Sequence, residues 1–342
     1  MRLSLKRLED LLVKFRDLRI LVVGDFFLDK YLHLDRRLSE TSLETGLEAY
    51  QAVGVRPLPG AAGTVAKDVA ALGATPLALS VIGDDGEGYE LERALRAFGV
   101  DTSGLIRAPG RYTPTYMKPI MREPDGREHE LNRIDIKNRV PTPRALEDEL
   151  IARLRELLPG VHGVAIVDQV EEENCGVITA RIRGELQRLA ASFPGKTFIA
   201  DSRARIGLFR GMVVKPNRRE AAMAVGLDPG RMGEREHLLN VGEELLARIG
   251  KPVYITAGEE GIYLFREGGC VHVPAVPVEG PVDPVGAGDA VMAALVTALC
   301  AGADPVEAAE LAALCAAITV RKIGTTGEAY PDEILSLLGE VS

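Results

Sequence analysis

The chain has 342 residues, with 41 Lys and Arg against 50 Asp and Glu; the resulting charge of −9 argues against a nucleic-acid partner, which would need a basic footprint. Hydrophobic residues make up 46% and charged residues 27%, as in a soluble globular chain, and no apolar run reaches the ~20 residues that cross a bilayer, so no membrane role is expected. The four cysteines (Cys175, Cys270, Cys300, Cys315) form no CxxC pair and the five histidines no HExxH, which leaves disulfides, zinc and metal-hydrolase chemistry unsupported and points to a reducing, cytoplasmic setting.

Residues 1–17 mix Lys, Arg, Glu and Asp with Leu and read as an amphipathic helix, without the apolar stretch of a secretory leader. The β-rich run Arg19-Ile-Leu-Val-Val-Gly-Asp25 follows, with the character of a buried strand. Runs of the same kind stand at 76–82, 163–167, 197–200, 212–214 and 252–257, and helical patterns at 63–72, 86–98, 144–157, 177–191 and 234–249. This alternation predicts an α/β fold whose mostly parallel sheet is covered by helices on both faces. Two apolar helices, 289–300 and 305–320, complete the pattern.

Two stretches interrupt the alternation. Residues 31–58 hold strand-like pieces without a good helix, and 112–135 carry a hairpin signal around Glu123-Pro-Asp-Gly126, where Pro fixes φ and Gly permits the turn. Together they read as one small, mostly antiparallel β-lid over the C-terminal edge of the sheet, where ligands bind in open α/β folds. Two unrelated surface excursions are the alternative. On the first reading the core comprises 1–30, 59–111 and 136–342, and the lid 31–58 and 112–135.

The sharpest local feature is Val282-Asp-Pro-Val-Gly-Ala-Gly-Asp289, running directly into a helix. Small residues there let a ligand approach the backbone, and the first amides of a helix have no intrahelical partner, so they can bind an anion. Asp289 could then take a proton from a hydroxyl attacking a phosphate, or it could simply cap the helix.

Asp283 to Asp289 resembles the C-terminal signature Asp-Thr-x-Gly-Ala-Gly-Asp of the ribokinase-like (PfkB) carbohydrate kinase family, with Pro284 in place of Thr. Further motifs follow the family's order from about Leu18 to Tyr330. The resemblance implies a three-layer α/β/α ribokinase-like fold with a small β-lid and ATP-dependent phosphorylation of a sugar or sugar-phosphate hydroxyl. It makes Asp289 the general base and the amides of Gly286, Ala287 and Gly288 an anion hole. Lys215-Pro-Asn-Arg-Arg-Glu220 resembles the motif that positions magnesium and the phosphates, so Asn217 and Glu220 are expected to hold Mg through water; Asn217 could also cap the next helix. Thr256, Gly258 and Gly261 match a strand and turn beneath ATP, and Cys315 stands where relatives close over adenine. A potassium ion behind the anion hole would be held around Asp283, Val285 and Gly324.

On the acceptor side the resemblance implies that Asp29 binds sugar hydroxyls, since a carboxylate accepts from two neighbouring hydroxyls at once. Gly60, Ala61 and Thr64 fall on the sugar-binding turn, with Ala61 replacing a Gly and Thr64 an Asn, and Arg133 is a further substrate candidate. The basic group Arg203, Arg205, Arg210, Lys215, Arg218 and Arg219 suits ATP phosphates or a phosphorylated sugar, or is a solvated face. Gly-Asp-x-x-Leu-Asp29, Leu131-Asn-Arg-Ile-Asp135 and Arg321-Lys-Ile-Gly-Thr are similar to the heptose-phosphate kinase branch, and a homodimer through the lid is implied. A nucleoside kinase of the same fold and a non-catalytic sugar or nucleotide sensor remain as alternatives. No GxGxxG follows the first strand and residues 60–67 do not fit GxxxxGK[ST], which disfavours nicotinamide chemistry and a P-loop.

Overall fold

In the computed structural model, which describes residues 2–341, nine strands build the central sheet. From edge to edge their order is Gly269–Val273, Ile262–Arg266, Val253–Thr256, Val213–Val214, Thr197–Ser202, Gly163–Asp168, Arg19–Gly24, Thr75–Gly83 and Asp101–Ala108. All neighbours pair in parallel except those involving Ile262–Arg266, which runs antiparallel to both its partners.

The first strand shows why the layers form. Ile20 and Val22 belong to one hydrophobic core and Leu21 and Val23 to the other, because successive side chains leave a strand on opposite faces. Helices Leu5–Phe15, Ala62–Ala71, Gly86–Ala97, Ala287–Cys300, Pro305–Thr319 and Pro331–Val341 contribute to the first core. Helices Arg144–Leu157, Ala180–Ser192, Arg218–Val225 and Arg235–Ile249 contribute to the second. The family-like three-layer α/β/α arrangement is therefore present. No helix among the described residues is long and apolar enough to cross a membrane.

Some boundaries differ from the periodicity. The helix expected over 177–191 starts at Ala180, because the Val177 amide donates to Asp25 Oδ1 at 2.7 Å and Thr179 caps Ile182. The edge strand Asp101–Ala108 was not apparent in the sequence: only every second residue is buried and Ser103-Gly104 break its apolar run. The antiparallel pair Ile262–Arg266 and Gly269–Val273 extends past the strand and turn expected from 253 to 261.

A second sheet orders Ile134–Ile136, Thr115–Arg122, Phe26–Asp35 and Ala52–Ala61, with Glu128–Glu130 also paired to Thr115–Arg122. Phe26–Asp35 is separated from the central strand Arg19–Gly24 by Asp25 alone, so the turn is abrupt. At Gly24 φ is +153°, and a Cβ would lie 2.0 Å from the Val167 carbonyl oxygen; only glycine fits. The register sets Asp29 opposite Tyr116, and Tyr31 opposite both Lys118 and Arg56, so these side chains share one face.

Candidate active site

Several parallel strands end in polar residues at one rim of the central sheet. Thr197–Ser202 ends on Asp201 and Ser202, Val213–Val214 is followed by Lys215, and Val253–Thr256 ends on Thr256. A cleft of about 500 Å³ opens there, lined by Asp201, Lys215, Asn217, Glu220, Thr256, Gly288 and Asp289. The sequence-expected Asn217, Glu220, Thr256, Gly288 and Asp289 thus meet in one place. Lys215, expected there only as one of the basic group, and Asp201, which the sequence did not single out, join them through an ion pair of 3.0 Å and are 3% and 6% exposed.

Gly286 caps the helix Ala287–Cys300 with φ +84°, a left-handed conformation natural to glycine, and a Cβ there would stand 3.1 Å from Thr326 Cβ. The Ala287 amide donates to the Pro284 carbonyl at 3.2 Å and the Asp289 amide to Gly286 at 3.0 Å. Among the described residues the amides of Gly286 and Gly288 find no hydrogen-bond acceptor, so two of the three expected anion-hole donors are free. Gly288 also lies over the Lys215 ammonium: a Cβ there would stand 3.8 Å from Nζ.

Asp289 is half-buried where it lines the cleft, and the helix is capped by Gly286 with no side-chain cap bond. Desolvation by the surrounding protein pushes its pKa up to about 7, Asp201 and Asp29 push in the same direction, and Lys215 and Lys67 oppose them. Glu220 is also pushed up to about 7, by burial and then by Asp201. The ammonium of Lys215 is pushed down by desolvation, but Asp201 and Glu220 outweigh this and its pKa ends above the usual range. The cleft therefore holds more negative charge than its lysine balances.

Asn217 and Glu220 close a capping box. Asn217 Oδ1 accepts from the Glu220 amide at 2.9 Å, and Glu220 Oε2 from the Asn217 amide at 2.8 Å. The capping box leaves one carboxylate oxygen of Glu220 for the cleft, so capping does not preclude a ligand role. Among the described residues no three His, Cys, Asp or Glu side chains cluster for direct metal ligation. A magnesium ion fits this setting, since it keeps most of its water, needs one or two carboxylates, and would favour the charged form of Glu220 that burial and then Asp201 oppose.

Potassium does not fit its expected ligands. Asp283 Oδ1 accepts from the Val285 amide at 3.1 Å and Oδ2 from the Gly324 amide at 3.0 Å. The Gly324 carbonyl accepts from the Arg56 guanidinium at 3.1 Å, which puts a fixed positive charge where a cation would bind.

On the acceptor side Asp29 is 8% exposed and packs against Gly60, where a Cβ would meet Asp29 Cγ at 3.0 Å. Lys118, which the sequence did not single out, donates to Asp29 Oδ2 at 3.0 Å and to the Tyr31 hydroxyl at 3.3 Å. Arg133 pairs with Asp135 at 2.6 Å and lies 4.1 Å over the Tyr116 ring. Ala61 stands in a backbone conformation suited to glycine, at φ +53° and ψ −119°, which strains a residue with a Cβ by ~1–3 kcal/mol.

Three expectations are corrected. Thr64 is 1% exposed and its hydroxyl donates to the Pro59 carbonyl at 3.3 Å, so it turns into the protein rather than toward an acceptor. Cys315, 1% exposed, faces the core of helix Pro305–Thr319, where burial pushes its thiol pKa up; it cannot reach an adenine. The basic group disperses: Arg205 pairs with Asp168, Arg218 with Glu260, and Arg210 holds backbone carbonyls, leaving Arg203, Lys215 and Arg219 on the cleft. Gly258 and Gly261 form the left-handed turn after Thr256, and a Cβ on Gly261 would lie 2.2 Å from the Val273 carbonyl oxygen.

Comparison with known proteins agrees with this fold. The family described as pfkB family carbohydrate kinase matches residues 51–332. "Bifunctional protein HldE" of Geobacter metallireducens is 32% identical over 337 residues, covering 98% of this chain and 66% of the relative. That of Trichlorobacter lovleyi is 31% identical over 334 residues, covering 97% and 65%. The chain thus spans just under two thirds of the length of these relatives. Ribokinase of Arabidopsis thaliana, solved with ribose and ATP, superposes with a TM-score of 0.68 at 19% identity, covering 94% of this chain and 98% of that one. Phosphofructokinase-2 of Escherichia coli, solved with potassium, gives 0.70 at 16% identity, covering 95% and 99%.

Proposed function

The chain belongs to the pfkB family of carbohydrate kinases, and on that footing we propose that it moves the γ-phosphoryl group of ATP onto a hydroxyl of a sugar that already carries a phosphate. The observation that carries this reading is the carboxyl of Asp289, open to a cleft rimmed by free amides and cations, with Asp29 close enough for its charge to be felt.

The acceptor lies beneath the second sheet, its hydroxyls held by Asp29 and the turn at Gly60 and Ala61. Asp289 takes the hydroxyl proton as the oxygen attacks the γ-phosphorus, and the bond to the bridging oxygen of ADP breaks in line. The Gly286 and Gly288 amides and Lys215 meet the charge on the transferring group. Glu220 and Asn217 would hold magnesium through water, which supplies charge neutralisation on the phosphates. Thr256 and the turn at Gly258 and Gly261 lie under the nucleotide. The second sheet acts as a lid that excludes water and limits wasted ATP hydrolysis.

The acceptor's own phosphate is argued from charge. In this acidic chain, the sheet face around Asp29 gathers Arg56 and Lys118, each within 5 Å of the Tyr31 ring centroid, and Arg133 adjoins it over Tyr116. The resemblance to the heptose-phosphate branch points the same way. Leu43, Leu47, Val53 and Val55 are exposed on this sheet and its outer loop, which supports pairing of two copies through the lid.

An ADP-release screen across sugar phosphates, free sugars, polyols and nucleosides tests the assignment. Sugar phosphates, heptose phosphates among them, are expected to release ADP, and Lys118→Met should raise their KM about tenfold. Turnover of nucleosides alone would sink it, as would tight ATP binding with no acceptor turned over, the behaviour of a sensor.

A further inference from the structure

The segment after helix Pro305–Thr319 backs the anion hole, since Thr326 packs against Gly286. Two cations from the acceptor side hold that segment. Arg56, on strand Ala52–Ala61, donates to the Gly324 carbonyl at 3.1 Å. Lys67, on the helix that follows this strand, donates to the Thr326 carbonyl and, at 3.0 Å, to the Thr326 hydroxyl. It also pairs with Glu328 at 2.9 Å and is 2% exposed, a charge committed to this one place. An ammonium among oxygen acceptors offers the same charge, at similar size, as a bound monovalent cation, and it cannot diffuse away. Meanwhile the oxygens of Asp283 accept from the Val285 and Gly324 amides, and the guanidinium at Gly324 repels any incoming cation.

We propose that Arg56 and Lys67 stand in for a monovalent cation behind the anion hole: they fix the carbonyls of Gly324 and Thr326, hold Thr326 against Gly286, and leave the protein indifferent to potassium. Both are positioning residues, since neither touches the reacting atoms. They also join the acceptor sheet and its helix to the phosphate site, so acceptor-side order and nucleotide affinity are coupled. The proposal rests on the kinase reading only in that the ligand is ATP.

The test needs no turnover, which keeps its failure separate from that of the proposed reaction. ATP affinity by calorimetry and the thermal unfolding temperature are measured in KCl and in choline chloride at equal ionic strength. The wild type is expected to give the same values in both salts. In Arg56→Gln, ATP binding should weaken in choline chloride, and KCl should recover ~5-fold or more, as a cation fills the vacated charge. Lys67→Met should lose ATP affinity in both salts, because its buried place admits no ion. A wild type whose ATP affinity or unfolding temperature rises in KCl but not in choline chloride overturns the proposal. So does an Arg56→Gln variant that binds ATP as the wild type does in choline chloride.

Discussion

Asp289→Asn is expected to lower turnover by ~10²-fold or more while leaving ATP affinity close to that of the wild type. Asparagine keeps the size of the side chain, and the helix does not depend on it, since Gly286 occupies the cap position and no side-chain cap bond is made. What is lost is the ability to accept a proton. Because the carboxylate is also a source of repulsion toward phosphate, removing it should not weaken ATP binding. Single-turnover kinetics with calorimetric ATP titration separates the two quantities. Near-normal turnover in the variant would take Asp289 out of the reaction.

Lys215→Met should damage both stability and catalysis. Removing one partner of a buried ion pair leaves Asp201 uncompensated, a loss of ~3–5 kcal/mol, readable by urea unfolding. The same change takes away a positive charge beneath Gly288 and one of the groups that restrains the pKa of Asp289 and of Glu220. Turnover at neutral pH should fall by ~10²-fold, as when a preorganised charge at the transition state is lost. A variant that unfolds and turns over like the wild type would make Lys215 a bystander.

What the sequence made legible was local. Gly286, Ala287, Gly288 and Asp289 are consecutive, their conformations follow from glycine and a helix start, and their meaning survives without any tertiary knowledge. The parallel strands announced themselves as apolar runs because both their faces are covered. The edge strand Asp101–Ala108 did not, because half its residues face outward. Asn217 and Glu220 were readable both as cap and as ligand, and the capping box is present alongside the cleft.

The remainder depends on contacts across the chain. Lys118 meets Asp29 across 89 positions, and Lys67 and Arg56 reach the segment behind Gly286 across 259 and 268. No spacing rule connects residues so far apart. Thr64 and Cys315 fail for another reason: a matched position fixes where the backbone goes, not where a different side chain turns. A hydroxyl short enough to bond the Pro59 carbonyl does so, and a thiol joins the core. At Ala61 the reverse holds, since the glycine-like backbone persists despite the Cβ.

The measurement that bears most directly on proton abstraction is the dependence of kcat/KM on pH. A base with a pKa of about 7 is charged above that pH and protonated below it, so the wild-type rate should fall tenfold for each pH unit below about 7. In Asp289→Asn the fast rate should be lost and the acid limb should become shallower, keeping only the part due to Glu220, which is also pushed up to about 7. A variant that kept both the limb and the turnover would show that the proton goes to some other group.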